Sequence, residues 1–225
     1  MSSALRITGR LPAIREYLLQ AIFPEPCLHC KSRLPENGLI CPRCLADWPQ
    51  GEQNSTVPHS HYQTQYLYPY EGVQKSLFKA AKFSGRRRAQ GFVFRKARTA
   101  LQSLVQPGTV FLPMPSSRSF LSGLLQSAVP RAQIHPGMYL FQRGKWGDSN
   151  KHLGEAARFR RIRESLVRSP KQLAVAERFV LCDDVLTTGA TLGQAAWLLE
   201  SGGVPREKIV LWALLYRRRE NDSLL

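Results

Sequence analysis

From residue 66 onward, hydrophobic and polar positions alternate between helix-like and strand-like patterns. Apolar residues spaced three and four apart predict helices, and short apolar runs bounded by Gly or Pro predict strands. The predicted helices cover 73–82, 90–104, 121–129 and 191–201, and the predicted strands cover 109–113, 138–141, 179–182 and 209–216. Segment 155–167 fits either a helix or a mobile loop. Such alternation is typical of an α/β fold, a parallel sheet with helices on both faces.

The pattern differs before residue 66. Apolar residues between Leu11 and Ile22 repeat at helical spacing, which predicts a helix that packs on the protein. Between Gly51 and Gln65 the chain is polar and contains Gly, Asn, Ser and Pro, as expected of a linker. We therefore predict an N-terminal module over 1–50, a linker over 51–65 and a larger domain over 66–225.

Four of the five cysteines form two Cys-x-x-Cys pairs, Cys27 with Cys30 and Cys41 with Cys44. Two such pairs at short separation supply the four thiolates of a tetrahedral zinc site. A pair of disulfides, an iron–sulfur cluster or a redox role are the alternatives. The disulfides are disfavoured because we find no secretion signal. The spacing therefore predicts a structural zinc ion held by these four residues. Cys182 lies in a predicted buried strand, where cysteine behaves as a small hydrophobic residue.

The chain is strongly basic, with 32 Lys or Arg against 16 Asp or Glu among 225 residues. Between Glu71 and Asp148 there are thirteen basic residues and no acidic one. Such a field attracts nucleic acids or polyphosphates, although it would also keep a surface soluble. Aromatic side chains among these basic residues could stack on bases or pack in the core. They are Phe83, Phe92, Phe94 and Trp146.

No apolar run approaches the roughly 20 residues that a membrane span requires. The longest, 209–216, fits a buried strand, and Arg6, Arg10 and Arg15 interrupt the apolar positions near the N-terminus. The chain therefore lacks the uninterrupted apolar region of a signal peptide. We expect a cytoplasmic protein without a membrane span.

The residues from Asp183 to Leu192 carry the clearest chemistry. A predicted strand precedes them and a predicted helix follows, so they form a strand–turn–helix junction. Two adjacent carboxylates can accept hydrogen bonds from the vicinal diol of a ribose. The Thr-rich turn offers N–H groups and hydroxyls at a helix N-terminus, where phosphate is favoured, and Gly189 permits a tight turn. A simple capped turn is the alternative. The predicted ribose 5-phosphate site comprises Asp183, Asp184, Thr187, Thr188, Gly189, Ala190 and Thr191.

This run resembles the diphosphate-ribose signature of type I phosphoribosyltransferases, which bind phosphoribosyl pyrophosphate (PRPP). With the four cysteines, the Lys-Phe-Ser-Gly segment from Lys82 and the Pro-Met-Pro turn from Pro113, the chain is similar to the competence protein F family (ComF/GntX-like). That family joins a four-cysteine zinc module to a type I phosphoribosyltransferase-like domain. The resemblance implies PRPP binding, single-stranded DNA binding and a role in bacterial DNA uptake and natural transformation, with DNA-uptake proteins as partners.

The resemblance also implies residue roles. Asp183 and Asp184 would hold the ribose hydroxyls and the Thr-rich turn the 5′-phosphate, while Arg158 and Lys82 would handle pyrophosphate. In an active transferase, which would use Mg²⁺ with PRPP, the catalytic residues would be Asp183, Asp184 and Arg158.

Two segments depart from the family pattern. Residues 122–126 lack the family's Arg and Asn, and within 150–166 only Leu153 and Arg158 match. Because pyrophosphate departure requires positive charge where negative charge develops, these changes predict weak or lost catalysis. An active transferase on an unidentified acceptor, and a regulatory PRPP sensor without DNA affinity, are the alternatives.

Overall fold

The computed structural model describes residues 25–34, 38–49, 55–56, 61–114, 119–135 and 176–217. The chain divides into two compact units, Met1–Pro49 and Gln50–Leu225. The predicted helix at 11–22, the predicted strand at 138–141 and segment 155–167 lie outside the described residues.

The described part of the first unit is organised around its cysteines. A short helix, α1 (Pro42–Ala46), begins directly after Cys41 with proline in its first turn, where the missing N–H costs nothing. Leu34 and Trp48 are buried beside the cysteines, whereas Leu45 is exposed. So few buried apolar side chains make a small core, and such small modules usually need a metal or a cross-link.

The second unit contains an α/β sheet. Its strands are β1 (Ser55–Thr56), β2 (Gln63–Pro69), β3 (Thr109–Pro113), β4 (Arg178–Leu186) and β5 (Ile209–Tyr216). Their order in the sheet is β1-β2-β5-β4-β3. β1 is antiparallel to β2, and the other four strands are parallel. The predicted parallel α/β sheet is confirmed at this level.

Helices α2 (Gly72–Phe83), α3 (Arg87–Gln102), α4 (Phe120–Gln126) and α5 (Ala190–Ser201) accompany the sheet. Two 3-10 turns cover Arg131–Gln133 and Arg206–Lys208. None of the helices in the described ranges combines the length and the apolar character that crossing a membrane requires.

Both faces of the central strands are buried. Every residue of Phe179–Cys182 and of Ile209–Leu215 is inaccessible or nearly so, as expected for parallel strands with covered faces. Leu181 and Leu211 share a buried cluster with Ala195 and Leu199 of α5. Helices α2, α3 and α4 join one another through Phe120, whose ring lies 5.5 Å from Phe78 and 5.4 Å from Phe94 between centroids.

The structure adds strands where the sequence predicted a linker. β1 and the first residues of β2 lie within 51–65, and β2 was not predicted as a strand. Its first residues, Gln-Thr-Gln-Tyr, are polar or amphipathic, so the apolar run is too short to recognise. Parallel pairing with β5 and burial of Leu67 and Tyr68 nevertheless hold it in the sheet.

Three elements also have boundaries that differ by more than one residue, and α3 covers Arg87–Gln102 instead of 90–104. β4 continues past the predicted end at 182 because Asp183 and Val185 still pair with Ala213 and Leu215 of β5. The diacid pair therefore lies inside the strand, not in the following turn. Helix α4 ends at Gln126 instead of 129.

Candidate functional site

The four parallel strands end at one edge of the sheet, and backbone hydrogen bonds continue beyond them. The Tyr70 N–H donates to the Tyr216 carbonyl at 2.7 Å, and the Arg217 N–H donates to the Leu186 carbonyl at 2.9 Å. The Met114 N–H donates to the Cys182 carbonyl at 2.8 Å. Because ligands of open α/β sheets bind outside the carboxyl ends of the strands, a ligand is expected at this edge.

Asp183 and Asp184 occupy this edge in different surroundings. Asp184 is 7% exposed and forms an ion pair with Lys82 from the last turn of α2. Asp183 is half-buried, and its Oδ1 accepts a hydrogen bond from the Asp184 N–H at 2.8 Å. The two adjacent carboxylates therefore have different partners within the protein.

Burial raises the pKa of Asp183 to about 7, and the neighbouring charge of Asp184 adds to this rise. The Asp184 N–H and the Lys82 charge act in the opposite direction but are weaker. Near neutral pH the Asp183 carboxyl therefore exchanges between its charged and neutral forms. It can accept a hydrogen bond from a sugar hydroxyl as the carboxylate, or donate one as the acid.

Lys82 is held between the acid and two aromatic rings. Its Nζ lies 5.5 Å from the Phe78 ring centroid and 5.4 Å from that of Phe83, within cation–π range. The family resemblance implies a pyrophosphate role for Lys82, and in the structure its ammonium pairs with Asp184. Nothing in the sequence predicted this contact, because Lys82 and Asp184 are 102 positions apart.

The Thr-rich turn connects β4 to α5 as predicted. Gly189 has a φ of 72° and stands at the N-cap position, directly before the first residue of α5. A Cβ at this position would meet only the Leu186 Cδ1 at 3.7 Å, so glycine is required by the backbone angle and not by space. The Ala190 N–H donates to the Thr188 Oγ1 at 3.3 Å, so a local turn contact of the kind weighed as the alternative is also present.

The first turn of α5 is suited to an anion. The initial N–H groups of a helix have no carbonyl partner within the helix, and the helix dipole adds positive potential there. Thr187 is exposed, and Thr188 and Thr191 are half-buried. The hydroxyls and N–H groups together can bind a phosphate within reach of the β4 carboxylates.

Tyr70 and Arg217 belong to the same edge. Burial raises the pKa of the Tyr70 phenol, while the Arg217 charge lowers it and the Asp184 charge raises it. The Lys75 Nζ lies 5.5 Å from the Tyr70 ring centroid. Sequence reasoning missed Tyr70 because β2 was not predicted; a strand ending at Pro69 would have placed Tyr70 at this edge.

The four predicted cysteine ligands converge on one point. Their Sγ atoms all lie within 4.8 Å of one another, and the Cys30 and Cys41 Sγ atoms are 3.6 Å apart. Zn–S bonds of about 2.3 Å in a tetrahedron place sulfurs about 3.8 Å apart. The cysteines are free thiols. Cys27, Cys30, Cys41 and Cys44 therefore could hold a structural metal ion.

Backbone hydrogen bonds shape the turns that carry the two Cys-x-x-Cys pairs. The Cys27 N–H donates to the Ser32 carbonyl and the Leu45 N–H to the Cys41 carbonyl, both at 2.9 Å. Burial and hydrogen bonds with the neighbouring cysteine sulfurs raise the pKa of Cys44 to about 12. Cys182 is buried far from these four in sequence, and burial raises the pKa of its thiol as well.

Helices α2 and α3 present a basic surface. Its exposed cationic residues are Lys75, Lys79, Arg87, Arg88, Arg95 and Arg98. Phe83 stands beside them at 45% exposure. Phe92 is half-buried, with the Lys96 Nζ 6.0 Å from its ring centroid, whereas Phe94 packs against Phe120. Trp146 lies outside the described residues.

Of the two segments that depart from the family pattern, the structure describes only 122–126. Residues 122–126 lie at the end of α4, where Leu124 and Leu125 are buried and a Cβ on Gly123 would meet the Phe94 ring at 3.4 Å. Gly123, Leu124 and Leu125 therefore have a packing role, whereas Ser122 and Gln126 are exposed. Arg158 and the whole of 150–166 lie outside the described residues.

A scan against protein-family models finds no match for this chain, and a search of curated proteins finds no significant match either.

Proposed function

We propose that the unit Gln50–Leu225 binds the ribose 5-phosphate part of PRPP at the carboxyl edge of its sheet, as a type I phosphoribosyltransferase-like domain. One arrangement carries the proposal. Two carboxylates near the end of β4 are followed by a glycine with positive φ and by the N-terminus of the twelve-residue helix α5. Five residues, from Val185 to Gly189, thereby join a diol-accepting pair to an anion-accepting helix end.

Each part of the site has one role. Asp183 and Asp184 accept hydrogen bonds from the ribose hydroxyls. The N–H groups and hydroxyls of Thr187–Thr191 hold the 5′-phosphate, and Gly189 gives the turn its shape. Tyr70 and Arg217 border the same edge, where a cation and a phenol suit the more distant phosphates of PRPP.

Mg²⁺ would accompany PRPP in an active transferase, but the diacid pair does not fit a direct magnesium site. Mg²⁺ requires carboxylate oxygens or waters in octahedral geometry. One oxygen of Asp184 is already held by the Lys82 ammonium. We therefore propose that this site binds PRPP and that its phosphoribosyl transfer is weak or lost.

The resemblance to the competence protein F family supplies the wider proposal. It is a cytoplasmic role in bacterial DNA uptake and utilisation, including natural transformation, with single-stranded DNA and DNA-uptake proteins as partners. The basic surface of α2 and α3, next to the exposed Phe83, favours DNA as a ligand. For the cluster of four cysteines we propose zinc, in a structural role, because four thiolates at tetrahedral spacing favour it.

A thermal-shift titration with PRPP tests the ribose 5-phosphate site. We expect PRPP to raise the melting temperature of the wild type and to have no effect on Asp183→Ala/Asp184→Ala. Asp47→Ala is the matched control, because Asp47 is an exposed acid at the end of α1. A wild type that shows no shift would contradict the proposal, as would a double variant that shifts like the wild type.

A second assay separates binding from transfer. Release of pyrophosphate from PRPP would be measured with candidate bases and nucleotides in the presence of Mg²⁺. We expect none above background while PRPP still stabilises the fold. Sustained release that disappears in the double variant would instead make the chain an active transferase.

A further inference from the structure

We propose that the ammonium group of Lys82 is a built-in counter-ion that takes the place of a divalent metal ion at Asp184. The proposal has two halves. The ligand half, that a ribose 5-phosphate binds at this edge without Mg²⁺, rests on the proposed function. The cation half, that Lys82 replaces a divalent ion, concerns only Lys82, Asp183 and Asp184, and it can be tested with a metal ion alone.

The ammonium of Lys82 and the carboxylate of Asp184 are mostly buried together. The side chains of Lys82 and Asp184 are only 15% and 9% exposed. Phe78 and Phe83 lie against the ammonium, and these two rings are nearly perpendicular to each other at 6.1 Å between centroids. A cation against two rings and a buried carboxylate has replaced much of its hydration shell with protein contacts.

The end of α2 is fixed around this lysine. The Gln90 Nε2 donates to the Ala81 carbonyl at 3.0 Å, and the Arg86 N–H donates to the Ala80 carbonyl at 3.3 Å. Gly85, with a φ of 62°, makes the turn into α3. These hydrogen bonds restrain the helix end. Displacement of Lys82 from Asp184 would therefore require its side chain to move while the helix stays in place.

The charges of the group favour one resident cation. Two adjacent carboxylates repel each other at low dielectric, and the ammonium neutralises one of them. A divalent ion at Asp184 would place a second cation against Lys82, and the repulsion would offset the gain from coordination. With Lys82 in place, the edge carries little net negative charge, so a phosphate can approach the first turn of α5 without a bridging metal.

Electron paramagnetic resonance of Mn²⁺ tests the cation half, with the zinc-loaded full chain. We expect no specific Mn²⁺ binding to the wild type. Lys82→Met, which keeps the apolar stem and removes the charge, should bind one Mn²⁺ at least tenfold more tightly. Adding Asp184→Asn to that variant should abolish the gain. Lys79→Met, on the same helix but exposed, is the matched control and should behave like the wild type.

Calorimetric titration with ribose 5-phosphate tests the ligand half, in buffer passed over a chelating resin and again with Mg²⁺. The wild-type affinity should change less than twofold between the two buffers, whereas Lys82→Met should gain at least tenfold with Mg²⁺. Lys82→Gln serves as the second variant if circular dichroism shows that Lys82→Met is unfolded.

Three results would overturn the proposal. They are stoichiometric Mn²⁺ binding by the wild type that Asp184→Asn removes, folded Lys82 variants that bind Mn²⁺ no better than the wild type, and wild-type ribose 5-phosphate affinity that requires Mg²⁺. If ribose 5-phosphate fails to bind the wild type in either buffer, the proposed function is wrong, and the Mn²⁺ titrations still decide the role of Lys82.

Discussion

Asp183 and Asp184 are adjacent in sequence, yet they differ in proton affinity and in ion pairing. Asp184 has a cationic partner in Lys82, so its charge is compensated. The Asp183 pKa is raised to about 7 by burial and by the Asp184 charge. Neutralising each acid in turn should therefore change the free energy of unfolding in opposite directions.

We expect Asp183→Asn to stabilise the protein at high pH. The folded-state pKa lies above the ordinary aspartate value of about 3.9, so folding takes up a proton and the stability contributed by Asp183 falls as pH rises from about 4 to 7. Asparagine has no such dependence. Its gain should grow from near zero at pH 4 to about 2 kcal/mol at pH 8, after allowance for solvent screening.

Urea unfolding at pH 4.5, 6, 7 and 8 measures this gain. Asp184→Asn is the comparison variant and should lose about 2 kcal/mol at pH 7, because a half-buried Lys82 loses this counter-ion. An Asp183→Asn gain that is the same at all pH values would contradict the raised pKa.

Two glycines on either side of the α5 N-terminus provide a second residue-level test. Gly189→Ala should cost about 1–2 kcal/mol, because the left-handed φ of 72° is unfavourable for alanine although its Cβ has room. Gly193→Ala, inside α5 with nothing within 4 Å of the added Cβ, should gain about 0.5–1 kcal/mol. Chemical denaturation measures the change in the free energy of unfolding for both variants. Equal effects at the two sites would show that the turn is not set by the φ of Gly189.

The residue-level chemistry could be predicted only where it is local. Asp183, Asp184 and Gly189 lie in one short run, so spacing alone indicated a strand–turn–helix site. The ion pair of Lys82 with Asp184 depends on where the end of α2 lies relative to β4, and the position of Tyr70 depends on the pairing of β2 with β5. No short-range pattern records those contacts.

At the scale of elements, the described part of the first unit has few buried apolar side chains besides its cysteines. Among its described residues outside the cysteines, Leu34 and Trp48 are the buried apolar side chains. A metal ion bound only in the folded state contributes its binding free energy directly to stability.

Removal of the metal should therefore unfold the first unit. We expect a strong zinc chelator to accelerate amide hydrogen exchange at Leu28 and Leu45, whose N–H groups donate to the Leu39 and Cys41 carbonyls, by at least tenfold. Amides of β4 and β5 should keep their protection and serve as the internal control. Exchange of Leu28 and Leu45 that is unchanged after metal loss would contradict a structural role.

Elements with a continuous or strictly periodic apolar pattern were predicted closely. The limits of β3 and β5 agree with the structure, and α5 begins at Ala190, one residue early. β2 was missed because its first residues are polar and pairing with β5 stabilises it. β4 was predicted too short because polar aspartates ended the apolar run, although the strand pairing continues to Leu186.

At the scale of the whole molecule, the net charge of +16 is distributed unevenly. Within the described residues after Glu71, no acid occurs until Glu177, and the exposed cations of α2 and α3 fall in this interval. A phosphate backbone bound there would release counterions, so its affinity should depend steeply on salt.

We expect the logarithm of the affinity for single-stranded DNA to fall linearly with the logarithm of the salt concentration. Lys79→Ala/Arg87→Ala/Arg88→Ala should reduce the slope by about 2, since each phosphate contact contributes about 0.7 for single strands. Phe83→Ala should instead lower affinity by about 1–3 kcal/mol without changing the slope, because stacking releases no counterions. Fluorescence anisotropy at several salt concentrations measures both. Absence of binding at low salt would contradict a DNA interface.

Amide chemical shifts in a titration with ribose 5-phosphate show directly whether this ligand binds at the carboxyl edge of the sheet. We expect the largest perturbations on the amides of residues 187–192, with smaller ones at Asp183 and Asp184, and we expect them to vanish in Asp183→Ala/Asp184→Ala. Perturbations that fall elsewhere, or none at millimolar ligand, would contradict it.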